Sequence, residues 1–382
     1  MPDRIRVLEL RSVWGTGGGP EKTILIGTER ATRSRFAVTV CYIRDARDPV
    51  FGIDKRAGAL DIDYVEVRER HSFDRSIWGA LKALVGERRI DIVHSHDYKT
   101  NLLGYLLSRR TNVIPLATSH GWSGSSARER FVYYPVEKRL LARFPRVIAV
   151  SSRIKAELVD RGADDARVTV LLNGIDPDAF RRQPGQVAAV RAEIGFAPGE
   201  FVIGAVGRLE KEKRYDLLID AFAALAPTHP QLRLAFVGDG TLSGALRDQA
   251  RRLGVSEECR FLGHRLDVAR LYDAFDLFAQ SSETEGTPNA VLEAMAMETP
   301  IVATDVGGTR ELATPDAHAI IVPPLDAAAL AAGIDRAIAD PAGRATRVAA
   351  ARRRIETDLS FDARTRRLEA IYEELMAGVL HA

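Results

Sequence analysis

The stretch Phe201-Val202-Ile203-Gly204-Ala205-Val206-Gly207-Arg208-Leu209 decides the fold of this chain. Six mostly apolar residues, bounded by a glycine, have the length and composition of a strand buried on both faces, as in a parallel sheet. A helical pattern follows, running to about Leu225 and preceded by Lys213. The same alternation of short strand and helix continues through Leu232 to Val237, Arg260 to Leu262, Leu277 to Ala279, Pro300 to Ala303 and Ile320 to Val322. Upstream it occurs at Ile5 to Leu10, Ala37 to Ile43, Tyr64 to Val67, Ile90 to His94, Val113 to Thr118, Val147 to Val150 and Val168 to Leu172. Strands alternating with helices predict α/β architecture, and the restart at Phe201 predicts two doubly wound domains.

Between them, Asp176 to Glu200 is punctuated by Pro177, Pro184, Gly185, Pro198 and Gly199, as a domain boundary would be. We place the first domain at 1–180 and the second at 181–360. The helical stretch at 361–382 has no strand after it and is expected to pack back on the first domain. A length of 382 residues suits two such domains.

Composition is that of a globular protein, and no apolar run is long enough to span a membrane. Met1-Pro2-Asp3-Arg4 does not read as a signal peptide, so a cytoplasmic location is expected. Cys41 and Cys259 are the only cysteines, which excludes a disulfide framework and a cysteine-based zinc site. Charge is uneven: 30 basic residues face 23 acidic ones through Phe180, and 24 face 29 beyond it. A basic front half suits an anionic partner or a membrane surface. Arg128, Arg130, Lys138, Arg139 and Arg143 alternate with aromatic and aliphatic residues up to Arg146, a pattern compatible with an interfacial helix at the inner membrane face or with a solvated amphipathic one. Nothing points to a nucleic acid.

Open α/β sheets bind ligands beyond the carboxyl ends of their strands, so the turns there carry the functional reading. After the first strand comes Trp14-Gly15-Thr16-Gly17-Gly18-Gly19-Pro20, whose glycines let backbone N–H groups approach a ligand. Pro20 in place of the third glycine departs from the dinucleotide fingerprint. Arg208 and Lys213 put two cations where a helix begins, which is unfavourable unless an anion joins them. Glu285-Gly286-Thr287-Pro288-Asn289-Ala290-Val291-Leu292-Glu293 sets one carboxylate in a loop and another inside the helix that follows. The helix N-terminus between them is an anion cradle with acceptors on both sides. His120 ends the fifth strand. His94 and His96 have the spacing of a ligand pair but lack a third ligand nearby in sequence, which favours a structural role. Two Asp-x-Asp triplets, Asp61-Ile62-Asp63 and Asp176-Pro177-Asp178, are no more than this aspartate content gives by chance.

Gly207-Arg208-Leu209 with Lys213, Phe236-Val237-Gly238-Asp239-Gly240, Phe261-Leu262-Gly263, Glu285-Gly286-x-Pro288-Asn289 with Leu292-Glu293-Ala294-Met295-Ala296, and Thr304-Asp305-Val306-Gly307-Gly308 occur in that order. Together they resemble the family 4 retaining glycosyltransferases of the GT-B fold, in which two Rossmann-like domains face a central cleft. The first half adds Gly17-Gly18-Gly19, His94-Ser95-His96, His120-Gly121, Ala149-Val150-Ser151 and Asn173-Gly174-Ile175-Asp176.

The resemblance implies transfer of a sugar from a nucleoside diphosphate sugar, with UDP-sugars favoured, to a glycan, lipid-linked or small-molecule acceptor. It implies no essential metal and no cofactor, the nucleotide sugar being a substrate. Arg208 and Lys213 would bind the diphosphate, and Glu293 the ribose. Glu285, with Gly286, Thr287, Pro288, Asn289 and Leu292, would hold the donor sugar's side of the site. His120 would face that sugar, Gly17, Gly18 and Gly19 would close over the phosphates, and the backbone at Arg265 and Leu266 would meet the base. Thr287 stands where a bulkier residue is common, Arg214 replaces a common glycine, and Met297-Glu298 replaces Cys-Gly. A sugar nucleotide epimerase and a catalytically silent partner subunit are the competing readings.

Overall fold

A computed structural model of the chain describes residues 4–71, 74–122 and 133–380. It divides into two compact units, residues 1–173 with 361–382, and residues 174–360. The division falls at Asn173, slightly before the proline-rich segment from which a boundary at 180 was expected, because Ile175 already pairs with Ser360 and donates its N–H to Leu359 O in the second unit.

The first unit is built on seven parallel strands: β1 (Ile5–Ser12), β2 (Phe36–Asp45), β3 (Asp63–Glu69), β4 (Ile92–Ser95), β5 (Ile114–Ser119), β6 (Arg146–Ala149) and β7 (Val168–Val170). Their order across the sheet is β3-β2-β1-β4-β5-β6-β7. Side chains alternate between faces along a strand. Leu8 and Leu10 therefore join Cys41, Ile43 and the helix Ser76–Glu87 in one core. Val7, Ile92, Leu116 and Ile148 point the other way, against Leu368, Ile371, Tyr372 and Leu375 of the helix Phe361–Leu380. That last helix is thus part of the first unit's core.

The second unit has six parallel strands: β8 (Phe201–Val206), β9 (Leu232–Val237), β10 (Cys259–Phe261), β11 (Leu277–Gln280), β12 (Ile301–Thr304) and β13 (Ile320–Val322). They run in the order β10-β9-β8-β11-β12-β13. Ile203, Ala205, Leu234 and Phe236 pack under the helices Tyr215–Leu225, Ser243–Arg252 and Ala327–Ala339. In both sheets the order reverses next to the first strand of the unit, between β1 and β4 and between β8 and β11. A crevice for a ligand belongs at the carboxyl ends of these pairs.

One expectation is corrected. The basic stretch ending at Arg146 is not one helix: among the described residues a helix covers Tyr134–Leu141, and Arg146 opens β6 and pairs with Glu374. Lys138 pairs with Glu157 and lies over the Trp122 ring, so packing rather than a free surface uses its charge. Arg139 and Arg143 are exposed, while Arg128 and Arg130 lie outside the described residues. No helix among the described residues is long and apolar enough to cross a membrane.

Candidate active site

In the second unit the turn after β8 carries Arg208 and Lys213, and the loop after β11 carries Glu285. Lys213 Nζ donates to Glu285 Oε1 at 2.6 Å, with the two side chains 19% and 12% exposed. Ser282 Oγ donates to the same oxygen at 2.7 Å. Backbone contacts hold the two loops together: Ser281 Oγ donates to Lys213 O, and Glu283 N–H to Glu212 O, each at 2.8 Å. On its far side the Glu285 loop accepts from Gly308, whose N–H reaches Gly286 O at 2.7 Å. Gly307, at φ +53°, is pressed so closely on this loop that a Cβ there would lie 2.1 Å from Glu285 O. Glycine at 307 is thus required by close approach rather than by a ligand.

The Arg208 side chain is 68% exposed and donates to Glu212 Oε1 at 2.6 Å. Such an exposed pair is worth about 0.2–1 kcal/mol and is easily exchanged for a phosphate. The helix Asn289–Ala296 begins at Pro288 with no side-chain cap, and Val291 N–H donates to Pro288 O at 3.1 Å; the positive end of its dipole lies on the Glu285 loop. Glu293, one turn in, lies 3.4 Å from the hydroxyl of Tyr272, a buried residue that also donates to Ala290 O at 2.9 Å. Thr287 and Pro288 are buried, and Leu292, at 1% exposure, belongs to the packed face of the helix. After β10, Arg265 is tied to Asp267 and Glu193, while the Leu266 side chain is 92% exposed.

Two departures noted in the sequence sit on left-handed backbone. Arg214 has φ +49° and Glu298 φ +53°, which explains why glycine is common at both places. Arg214 is steadied by Asp216 and Glu283.

In the first unit the glycine turn lies at the carboxyl end of β1. Glu21, the third residue of the helix Gly19–Glu29, turns back to accept from Gly18 N–H at 2.5 Å and pairs with Arg11. A carboxylate therefore occupies one of the donors expected to meet phosphate, and Gly17, at φ +69°, curls over that side chain. Next to this turn, Asp97 caps the helix Tyr98–Ser108 and accepts from Ser12 N–H at 2.8 Å.

His94 is the register partner of Glu9 in adjacent strands, and His96 lies two residues further on the same face. His94 Nδ1 is 3.1 Å from Glu9 Oε1 and 2.9 Å from the Tyr372 hydroxyl, and its Nε2 is 2.7 Å from Thr118 Oγ1. His96 Nε2 bonds Glu9 Oε2, and its Nδ1 is 3.3 Å from Nε2 of His120. Ligand atoms of Glu9, His94 and His96 fall within 4.8 Å of one another, so the third ligand missing from the local sequence is supplied by β1. Yet the Glu9–His96 contact is a direct hydrogen bond, whereas tetrahedral ligands about 2.0–2.1 Å from a zinc ion stand roughly 3.3 Å apart. The donor set reads as a hydrogen-bonded cluster. Burial would raise the Glu9 carboxyl, but His94 and His96 beside it hold it well below its usual range. Burial pushes His96 down to about 4, and burial together with Arg11 and His96 pushes His120 well below the usual imidazole range. Glu9 and Tyr372 carried no signal in the sequence, since neither belongs to a recognisable motif.

The Glycosyltransferase Family 4 model matches residues 17–179, and the model for glycosyl transferases group 1 matches residues 187–354. A glycogen synthase of Mycobacterium tuberculosis is 32% identical over 355 residues, covering 88% of this chain and 81% of that protein. This chain belongs to glycosyltransferase family 4. Within the family, a D-inositol 3-phosphate glycosyltransferase of Nocardia farcinica is 34% identical over 61% of this chain, a match that spans about half of that relative, 55%. Among solved structures, Anabaena HepE in complex with UDP superposes with a TM-score of 0.84 at 22% identity, covering 97% of this chain and all of HepE. Sucrose-phosphate synthase of Thermosynechococcus elongatus gives 0.79 at 23% identity, covering 98% and 100%. These likenesses show the GT-B fold of two Rossmann-like domains.

Proposed function

We propose that this family 4 member is a retaining glycosyltransferase that moves a sugar from a UDP-sugar to a glycan, lipid-linked or small-molecule acceptor without an essential metal. The observation that carries it is the Lys213–Glu285 pair at the β8/β11 switch point, on the turn that also carries Arg208 paired with Glu212. HepE, of the same fold, has been solved with UDP and with UDP-glucose, which supports the donor class.

In this reading Arg208 leaves Glu212 for the diphosphate. Lys213 bridges phosphate and sugar while keeping Glu285 in place, and Glu285 with the backbone of 286–289 accepts sugar hydroxyls. Glu293 takes the ribose hydroxyls, and the backbone at Arg265 and Leu266 meets the base; on the first unit, His120 contacts a substrate hydroxyl. The bond from the anomeric carbon to the phosphate oxygen breaks as a bond to the acceptor oxygen forms on the same face. The departing phosphate takes the acceptor's proton, and Arg208, Lys213 and the helix terminus offset the charge it gains. These side chains supply positive charge where a divalent ion would otherwise be needed.

The test is a thermal-shift screen of UDP and UDP-sugars, followed by incubation of the stabilising donor with candidate acceptors and NMR of the product's anomeric centre. Retained configuration is expected. An inverted product, or turnover of the nucleotide sugar without acceptor, counts against the proposal.

A further inference from the structure

On the face of the first sheet covered by the helix Phe361–Leu380, the period-2 pattern turns from apolar to polar at the carboxyl end. Val7 is followed by Glu9, Ile92 by His94 and His96, and Leu116 by Thr118 and His120. Glu9, His94, His96 and Thr118 are all buried, and His120 is partly exposed. An ionised carboxylate can only accept, which fixes the direction of every bond in the cluster. The Tyr372 hydroxyl donates to Glu9 Oε1 at 2.6 Å, and His94 donates from Nδ1, with its Nε2 2.7 Å from Thr118 Oγ1. His96 donates from Nε2 to Glu9 Oε2. Being neutral, His96 then carries a lone pair on Nδ1, and the 3.3 Å contact requires His120 to donate from Nε2. The bare nitrogen of His120 is then Nδ1.

We propose that Glu9 is a positioning residue for transfer: acting through His96, it holds His120 in the Nε2–H tautomer, so that His120 Nδ1, at the carboxyl end of the first sheet, accepts a hydrogen bond from a substrate hydroxyl. The inference rests on the reading of His120 as a substrate contact and deepens it, since a bare nitrogen accepts from a hydroxyl and repels a phosphate oxygen. A carboxylate that sets a histidine tautomer acts by orientation, without itself taking a proton. Tyr372 extends the chain of orientation to the last helix of the protein.

The test uses the full chain carrying ring-15N histidine, with His120 assigned from the spectrum of His120→Gln. In the wild type, Nε2 of His120 is expected to carry the proton and Nδ1 to resonate as an unprotonated nitrogen. In Glu9→Gln the new amide donates to His96 Nε2, which moves the His96 proton to Nδ1 and that of His120 to its own Nδ1. With donor and acceptor supplied, this variant should lose about 10- to 100-fold in kcat, the cost of an acceptor turned into a donor, with its thermal midpoint retained. A wild-type His120 protonated at Nδ1, a folded Glu9→Gln whose tautomers do not change, an inverted tautomer with unchanged kcat, or stoichiometric zinc in the purified protein would each overturn the proposal. Should Glu9→Gln fail to fold, the wild-type spectrum decides alone. That spectrum needs no substrate, so a protein that transfers no sugar overturns the reading of the site while the tautomer is still measured.

Discussion

Lys213 and Glu285, 72 residues apart in sequence, form one unit: the ammonium donates to the carboxylate at 2.6 Å, and Ser282 secures the same oxygen. The sequence assigned them to different parts of the ligand, and the pairing couples those roles. Under the proposed function, Lys213→Ala removes the cation for phosphate and also the anchor of the carboxylate meant for the sugar. Transfer should fall by at least about 10²–10³-fold, while far-UV circular dichroism stays native. Wild-type turnover in a folded Lys213→Ala protein would remove the lysine from the site.

Arg208 should separate binding from stability. Its own side chain lies mostly in solvent, so Arg208→Ala should change folding stability by no more than about 0.5 kcal/mol in urea titrations. UDP affinity should drop about tenfold or more, because a fork that grips a diphosphate is lost. Calorimetry of UDP binding at low and high salt measures this, and the mutational effect should shrink as salt rises.

Glu298 closes the helix Asn289–Ala296 in a left-handed conformation, with its N–H on Met295 O and that of Thr299 on Ala294 O. This is the turn that glycine makes without steric cost. Glu298→Gly should raise stability by about 1 kcal/mol and leave turnover unchanged. Chemical denaturation would show the gain as a higher midpoint at constant slope.

Charge neutralisation by side chains predicts indifference to chelation. Transfer measured with excess EDTA should match the untreated rate within error. A loss of activity restored by magnesium or manganese would return the diphosphate to a metal.

Glu137 gives a pH signature of the first unit. Burial raises its carboxyl to about 7, although Trp122 Nε1 and Asn101 Nδ2 donate to it at 2.8 and 2.7 Å. The folded protein therefore binds this proton more tightly than the unfolded chain does. Its contribution is complete below the unfolded value near 4.5 and is lost as pH rises through about 7. Glu137→Gln should flatten the decline of the thermal midpoint between pH 4.5 and 7, and an unchanged slope would show that Glu137 is not its source.

Much of the fold was legible because its signals are local. An apolar run such as Phe201–Val206 ends at a glycine whether or not its neighbours are known, and each of the thirteen strands lies at one of the sequence's apolar runs. The placement of Arg208, Lys213 and Glu285 was legible for the same reason, since all three lie in the connections that follow strands. The basic stretch up to Arg146 misled because periodicity cannot tell a helix from a helix followed by a strand. That the Leu292 side chain packs into the core, at 1% exposure, is not written in the motif it belongs to.

By itself, then, the sequence determined where strands, turns and helix starts fall, because those depend on residues close together in the chain. Only the tertiary structure decided which charges meet. Parallel strands are brought side by side by long crossovers, so the partners of Glu9 come from β4 and from Tyr372, 363 residues away. That distance hides the cluster from any motif. Burial and the neighbours it packs together then set which of Glu9 and His96 holds a proton, and with it the direction of the bond between them.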